Sequence, residues 1–325
     1  MSIKIGLLGA GHLGKIHLKC LKNTPFELIG FYDPSPEVSA NVSEEHGIPS
    51  FSSIDELLDQ VDAIDIVSTT NTHYELCHKT LSKGKHVFVE KPFVKDLDQG
   101  KILMDMVQEK NLVFQIGHVE RYNPAYKQVS AMGLRPKFIE GHRLAQFNPR
   151  GTDVSVVLDL MIHDIDLILQ LNKTGVKNIH ANGVSVASDT PDICNARIEF
   201  EDGGVVNLTA SRISLKNMRK LRLFQQDAYI SLDFLHKETQ IIQLEELSEG
   251  SNEDENAIYI DTNTGRKRIS IMQAEVESNN AIEEELNDFY LSISEGKAVS
   301  VSIDDGYRSL QLAYQIMEKM AANDA

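Results

Sequence analysis

Six residues near the start of the chain, Gly9-Ala10-Gly11-His12-Leu13-Gly14, constrain it more than any other stretch. They follow Ile3-Lys4-Ile5-Gly6-Leu7-Leu8, an apolar run short enough for a buried strand, and lead into Leu13-Gly14-Lys15-Ile16-His17-Leu18-Lys19-Cys20-Leu21, which continues with apolar residues at helical spacing. A strand that enters a helix through three glycines so spaced has a physical purpose. Gly9 allows a tight turn, Gly11 lets backbone approach a pyrophosphate, and Gly14 lets the helix pack closely on the strand. The helix start adds free N–H groups and the positive end of its dipole. The glycines alone also fit an ordinary turn, and Asp33 is what lifts them above it. It closes a second apolar run, residues 26–32, about twenty residues past Gly11, where a carboxylate accepts hydrogen bonds from ribose hydroxyls and repels a 2′-phosphate. The pattern predicts a dinucleotide site that prefers NAD to NADP.

A chain of 325 residues is long enough for two domains, each with its own core. Its formal charge of −16 opposes nonspecific binding to nucleic acid or to anionic membranes, both of which need a basic surface. Cys20, Cys77 and Cys194 are odd in number and far apart, so neither a disulfide framework nor a zinc site is suggested. No leader pattern precedes the first strand and no apolar run reaches about 18 residues, which predicts a cytoplasmic chain.

Strand and helix signals alternate through the first third. Residues 34–47 read as a short helix, 48–52 as a weak strand and 54–60 as a helical turn. Residues 63–68 read as a strand, 72–83 as a helix and 85–89 as a strand. A helix capped by Asp96 runs to residue 110, and 112–116 closes the series as a sixth strand. This alternation means a parallel, doubly wound sheet. The pattern changes near residue 118. Residues 123–132 look helical, 137–146 strand-like and 157–171 a long helix. Strand follows strand from 176 to 270, including 184–187, 196–200, 205–212, 219–224, 229–234 and 240–244, and these read as an antiparallel sheet. Helices at 280–294 and 303–320 end the chain, and the acidic stretch 245–255 reads as a solvated hairpin loop.

Three stretches can carry chemistry. Ser68-Thr69-Thr70-Asn71-Thr72-His73 follows a strand at its carboxyl end, where open α/β sheets bind ligands; it also suits a helix cap. Glu90-Lys91-Pro92 ends the next strand at the same edge, with proline restricting Lys91 to extended backbone, or is simply a surface strand end. In the helix at 157–171, Leu158, Met161, Ile162, Ile165, Ile168 and Leu169 make a core stripe, and Asp159, His163 and Asp166 make a polar one beside it. A carboxylate four residues before a histidine can fix its tautomer and raise its basicity, as a general base requires. An exposed ion pair, a satisfied half-buried histidine and a metal ligand are the competing readings, and no other histidine offers zinc-like spacing.

Together these motifs resemble the Gfo/Idh/MocA family of oxidoreductases. The resemblance rests on the glycine turn, residues 69–73, Gly84-Lys85-His86-Val87-Phe88-Val89-Glu90-Lys91-Pro92, Gly117-His118-Val119-Glu120-Arg121-Tyr122-Asn123-Pro124, the Asp159 to Asp166 stretch and the last two helices. It implies an α/β chain: a Rossmann domain over residues 1–118 that binds NAD, and an α+β domain over 119–325 with a large open, mainly antiparallel sheet for substrate binding and oligomerisation, the final helices packing back on the first domain. It implies cofactor contacts from Gly9, Gly11, His12, Leu13, Gly14, Asp33, Thr69, Thr70, Asn71, His73, Glu90 and Lys91. It assigns catalysis to Lys91, Asp159 and His163, with either Lys91 or His163 as the base, and no metal. Asp153-Val154-Ser155-Val156-Val157-Leu158 replaces the glycine run common in the family and, with Arg121-Tyr122-Asn123-Pro124, resembles the subgroup of UDP-N-acetylglucosamine 3-dehydrogenases. Arg121, Tyr122, Asn123, Arg143, Arg150 and Asp153 are then the candidates for holding a nucleotide sugar, arginine forks suiting a diphosphate. The expected activity is NAD-dependent oxidation of a secondary sugar hydroxyl to a ketone by a homodimer or homotetramer. An inositol or free-aldose dehydrogenase and a non-catalytic NAD-binding sensor are the alternatives.

Overall fold

The apolar run at the start forms β1 (Lys4–Leu8), buried from its second residue on. The computed structural model describes residues 2–148, 154–247, 258–263, 265–273 and 279–323. After β1 come α1 (His12–Leu21), β2 (Glu27–Tyr32), α2 (Pro36–His46), α3 (Ile54–Leu58), β3 (Ala63–Ile66), α4 (Thr70–Ser82), β4 (His86–Glu90), α5 (Leu97–Lys110) and β5 (Phe114–Gly117). The helix ends follow local chemistry. Ser35 caps α2 with Pro36 behind it, Gly47 ends it at φ +63°, and the Asp96 carboxylate accepts the N–H groups of Asp98 and Gln99 at the start of α5.

The sheet is parallel, in the order β2-β1-β3-β4-β5. The chain leaves β1 for β2 on one side and returns for β3 on the other, so a crevice opens beyond the carboxyl ends of β1 and β3. The expected strand at 48–52 is not a sixth member. It makes one bridge, Phe31 to Ser50, because Pro49 lacks the N–H that a longer ladder needs.

The remaining elements are α6 (Pro124–Ser130), β6 (Phe138–Leu144), α7 (Ile162–Leu171), β7 (Val176–Val184), β8 (Ile193–Phe200), β9 (Val205–Ser211), β10 (Met218–Phe224), β11 (Ala228–Asp233), β12 (Glu238–Glu246), β13 (Ile258–Thr262), β14 (Gly265–Gln273), α8 (Ala281–Ser294) and α9 (Ile303–Asn323). The second sheet has nine strands among the described residues, in the order β13-β14-β12-β11-β10-β6-β9-β8-β7. Its pairs are antiparallel except β6 with β9. The expected strand at 184–187 is corrected. β7 stops at Val184 because the buried Asp192 carboxylate gathers the N–H groups of Val186, Ala187 and Ser188 at 2.8, 2.6 and 3.0 Å and draws the chain out of the ladder.

Two compact units result, Met1–Tyr122 with Asn279–Gln311 and Asn123–Ser278 with Leu312–Ala325. In the first, α8 lies against α1 and returns Phe289 to the core, its ring 5.7 Å from Phe26 and 5.9 Å from Phe88. In the second, α6 and α7 pack on the sheet. No helix is long and apolar enough to cross a membrane among the described residues. Phe289→Ala should cost the first unit about 3–5 kcal/mol, since the ring is fully enclosed. Chemical denaturation that shows less than about 1 kcal/mol would detach α8 from that core.

Candidate active site

The turn from β1 into α1 is shaped by close contact. Gly9 sits at φ +98°, and a Cβ there would fall 2.7 Å from the Ser68 Cα. A Cβ on Gly14 would collide with the Gly9 carbonyl oxygen, so only glycine lets α1 lie this near to β1. Gly11 has nothing within 4 Å of where a Cβ would be. It is the N-cap of α1 and supplies no side-chain acceptor, which leaves the donors of the first turn to a ligand. A cleft of about 530 Å³ opens here, lined among others by Gly9, Gly11, His12, Leu13, Asp33 and Thr69, with Ile54 and Leu76 as apolar walls. Asp33 is fixed across its mouth. One carboxylate oxygen accepts the Ala10 N–H at 2.8 Å and the other the Ser35 N–H at 2.9 Å, each keeping a second lone pair.

The other expected cofactor residues lie elsewhere. Thr70 and Asn71 open α4. His73 is buried, its ring nitrogens 2.9 Å from the Pro92 carbonyl oxygen and 3.0 Å from that of Ser68. Burial lowers its pKa against the pull of both carbonyls, and a neutral ring donates to one of them at a time. His73 therefore braces the two loops that follow β3 and β4. Glu90 ends β4. Its carboxylate turns inward, accepting the Lys91 N–H at 3.2 Å and lying 3.4 Å from His17 Nε2. Lys91 is partly exposed on the second braced loop, and its peptide bond to Pro92 is cis.

In the second unit the expected single helix over 157–171 begins instead as a π turn, Val157–Met161, and continues as α7. A π turn closes over one more residue than an α turn, so side chains before the junction are rotated relative to those after it. Asp159 lies within the π turn and His163 at the second position of α7, both partly exposed, whereas Asp166 is buried and leaves the stripe drawn from helical spacing. Arg143, expected at the substrate, is locked in a buried fork to Asp164, Nε to Oδ2 3.0 Å and Nη2 to Oδ1 2.7 Å. Its charge is neutralised inside the fold. Arg121 donates to the Ser300 carbonyl at 2.7 Å and lies 3.4 Å from Asp305 beside the start of α9. The Tyr122 hydroxyl donates to Asp288 at 2.8 Å. Asn123 caps α6 and donates to the Phe234 carbonyl. Arg150 and Asp153 lie outside the described residues.

The sequence reading missed a cluster behind Lys91, formed by His17, Asp65, Glu90 and Glu285, all buried. Its signals were an aspartate inside the apolar run Ala63-Ile64-Asp65-Ile66 and a histidine on the buried face of α1.

A family model described as "Oxidoreductase family, NAD-binding Rossmann fold" matches residues 3–118, and the GFO/IDH/MocA C-terminal domain matches residues 128–230. The chain belongs to the Gfo/Idh/MocA oxidoreductase family. It is 38% identical to UDP-N-acetylglucosamine 3-dehydrogenase of Acidithiobacillus ferrooxidans over 74% of this chain and 76% of that one. A solved structure of that enzyme matches at a TM-score of 0.88 with 32% identity, covering 99% of both chains. Levoglucosan dehydrogenase in complex with NADH shares the fold at a TM-score of 0.84 and 20% identity over 99% of this chain and 98% of that one. As in this NAD-binding family, the cleft fits a dinucleotide: open space above Gly11, uncapped helix donors, and the fixed Asp33 carboxylate.

Two outcomes follow from this geometry. NAD should bind more tightly than NADP, and Asp33→Ala should narrow the difference in a titration with both, because the carboxylate repels a 2′-phosphate. Tighter binding of NADP by the native chain would end this reading of Asp33. Arg143→Ala should destabilise the chain by about 3–5 kcal/mol by stranding Asp164, a loss seen in thermal or denaturant unfolding without any substrate present.

Proposed function

We propose that this oxidoreductase uses NAD to oxidise a secondary hydroxyl of a nucleotide sugar to a ketone, the substrate being a UDP-linked N-acetylglucosamine attacked at its 3-hydroxyl. The observation that carries the substrate is the 38% identity to an enzyme of that name over three quarters of each chain, joined to likeness across 99% of its structure. NAD supplies the hydride acceptor. In this reading His163 removes the hydroxyl proton, Asp159 orients the His163 ring, and Lys91 hydrogen-bonds the reacting oxygen and steadies its developing charge. The buried fork of Arg143 and the backbone contacts of Arg121 leave Arg150 and Asp153 as the candidates for the diphosphate and sugar.

Residues 1–118 serve as the NAD-binding part and 119–325 as the part for substrate and self-association. The second sheet carries exposed apolar side chains, among them Val184, Met218, Ile258 and Ile271, and a face so exposed favours burial against another copy. A homo-oligomer working in the cytoplasm fits this surface and the acidic composition, which suits neither nucleic acid nor membrane partners.

A screen of UDP-amino sugars, inositols and free aldoses for NADH formation tests the substrate. Turnover of UDP-N-acetylglucosamine is expected. Activity confined to inositols or aldoses would retain the dehydrogenase and remove the nucleotide sugar, and binding of NAD with no turnover of any member would favour a sensor. His163→Asn and Lys91→Ala should each lower kcat by about 10²-fold with NAD affinity nearly unchanged. Full turnover by either variant refutes that residue's role. Light scattering that finds a stable monomer at micromolar concentration removes self-association.

A further inference from the structure

α1 turns His17 into the first unit's core, and β3 meets it with Asp65, the one charged residue of that strand. His17 Nδ1 lies 2.9 Å from Asp65 Oδ2, and His17 Nε2 lies 3.4 Å from Glu90 Oε1. Glu285 reaches in from α8 with no exposed surface, and one ligand atom each of His17, Glu90 and Glu285 lies within 4.8 Å of the others. Neither Glu285 oxygen has a hydrogen-bond partner among the described residues. β5 makes room for the group. A Cβ at Gly117 would come 2.7 Å from Glu90 Oε1, so the carboxylate lies flat against a position that glycine leaves open. The other Glu90 oxygen accepts the backbone N–H of Lys91.

Three ionised carboxylates against one imidazolium cannot persist in this core, where the aromatic ring of Phe88 stands 5.9 Å from His17. An uncompensated buried charge costs more than protonating one carboxyl. The group with no hydrogen-bonded cation is Glu285, and it is the one to hold the proton. We propose that His17, Asp65 and Glu285 are positioning residues for Lys91: an imidazolium held by Asp65 fixes the Glu90 carboxylate that anchors the Lys91 N–H, and Glu285 closes the cluster as a neutral carboxylic acid. This deepens the role given above to Lys91 and rests on it.

The electrostatics point the same way. Burial alone would depress the His17 pKa, but the charge and hydrogen bond of Asp65 and the nearby Glu90 carboxylate outweigh it and hold the ring well above its ordinary value. Burial pushes Glu285 well up, with the Glu90 charge acting in the same direction and His17 against it. Burial also pushes Glu90 up, yet the His17 ring 3.4 Å away and the charge of Lys91 prevail and hold it down. Asp65 is raised by burial and drawn back by His17. The other titratable groups around the cluster include Cys20 on α1, whose thiol burial raises, His73 on α4, which feels the charges of Glu90 and Lys91, Glu283 on α8, and Tyr122 with its partner Asp288.

Proton linkage provides a test that needs no substrate. A carboxyl that keeps its proton in the folded chain and loses it in the unfolded one lowers stability as pH rises above about 4.3. Glu285→Gln keeps the shape of the neutral acid without that titration. Its denaturation midpoint should exceed that of the native chain from about pH 6 upward, the gap widening with pH. A lower midpoint across that range overturns the neutral acid, as does a stoichiometric metal ion in the purified native chain, which would make Glu285 an anionic ligand. Positioning is read from Glu90→Gln in the NAD-loaded enzyme. kcat should fall about tenfold or more and its pH profile shift, with KM for NAD held within about twofold, a split that a merely weakened fold does not produce. An unchanged kcat and pH profile overturn the positioning role. The unfolding arm runs without substrate, so a failure of the cluster is distinguishable from a failure of the substrate assignment.

Discussion

The near-contact of α1 with β1, at the place where Gly14 meets the Gly9 carbonyl, is the constraint on which the first unit depends. No residue with a Cβ can occupy position 14 unless the helix moves away. Two consequences run along the same helix. Its first turn brings uncapped N–H donors to the cleft beside Asp33. Its next turn brings His17 over β3 and against Asp65. From there the contacts pass through Glu90 to the backbone of Lys91, so a single packing distance bears on both the dinucleotide cleft and the loop that carries the proposed catalytic lysine.

The loops after β3 and β4 are held a second time from above. The His73 ring lies between the carbonyls of Ser68 and Pro92, while Ser68 and Thr72 share a hydroxyl contact of 2.8 Å. Lys91 is thus reached from the core through Glu90 and from the sheet edge through Pro92. A side chain that must meet a reacting oxygen within a fraction of an ångström gains from support of this kind, because a small misplacement costs far more rate than stability.

The second unit uses buried arginines for a related purpose. Arg143 forks onto Asp164 of α7 from β6, and Arg212 at the end of β9 donates to the Val154 carbonyl just ahead of the π turn while lying 3.7 Å from Asp192. Both reach the segment that carries Asp159 and His163. Buried ion pairs contribute little net stability after desolvation, and their value lies more in geometry, since a fork satisfies itself in one arrangement. On the sequence Arg143, with Arg121 and Arg150, looked like a receptor for a diphosphate. Composition and motif neighbourhood place a charge in the chain but do not say whether a carboxylate of the same fold has already claimed it.

Local chemistry by itself determined much of this protein. The glycine turn, Asp33, the alternation of strands and helices and the Asp96 cap are short-range features, each settled by a few neighbouring residues, and each stands in the structure where the spacing put it. The family chemistry was legible for the same reason. Tertiary structure decided what depends on distant partners. Pro49 reduced an expected strand to one bridge, and Asp192 ended β7 early. Packing buried Asp166 and left Asp159 and His163 partly exposed, on a stretch that opens as a π turn. The meeting of His17, Asp65, Glu90 and Glu285 needed a helix, two strands and a helix from near the end of the chain. No periodicity encodes that meeting, because it arises only when packing removes four titratable groups from water together.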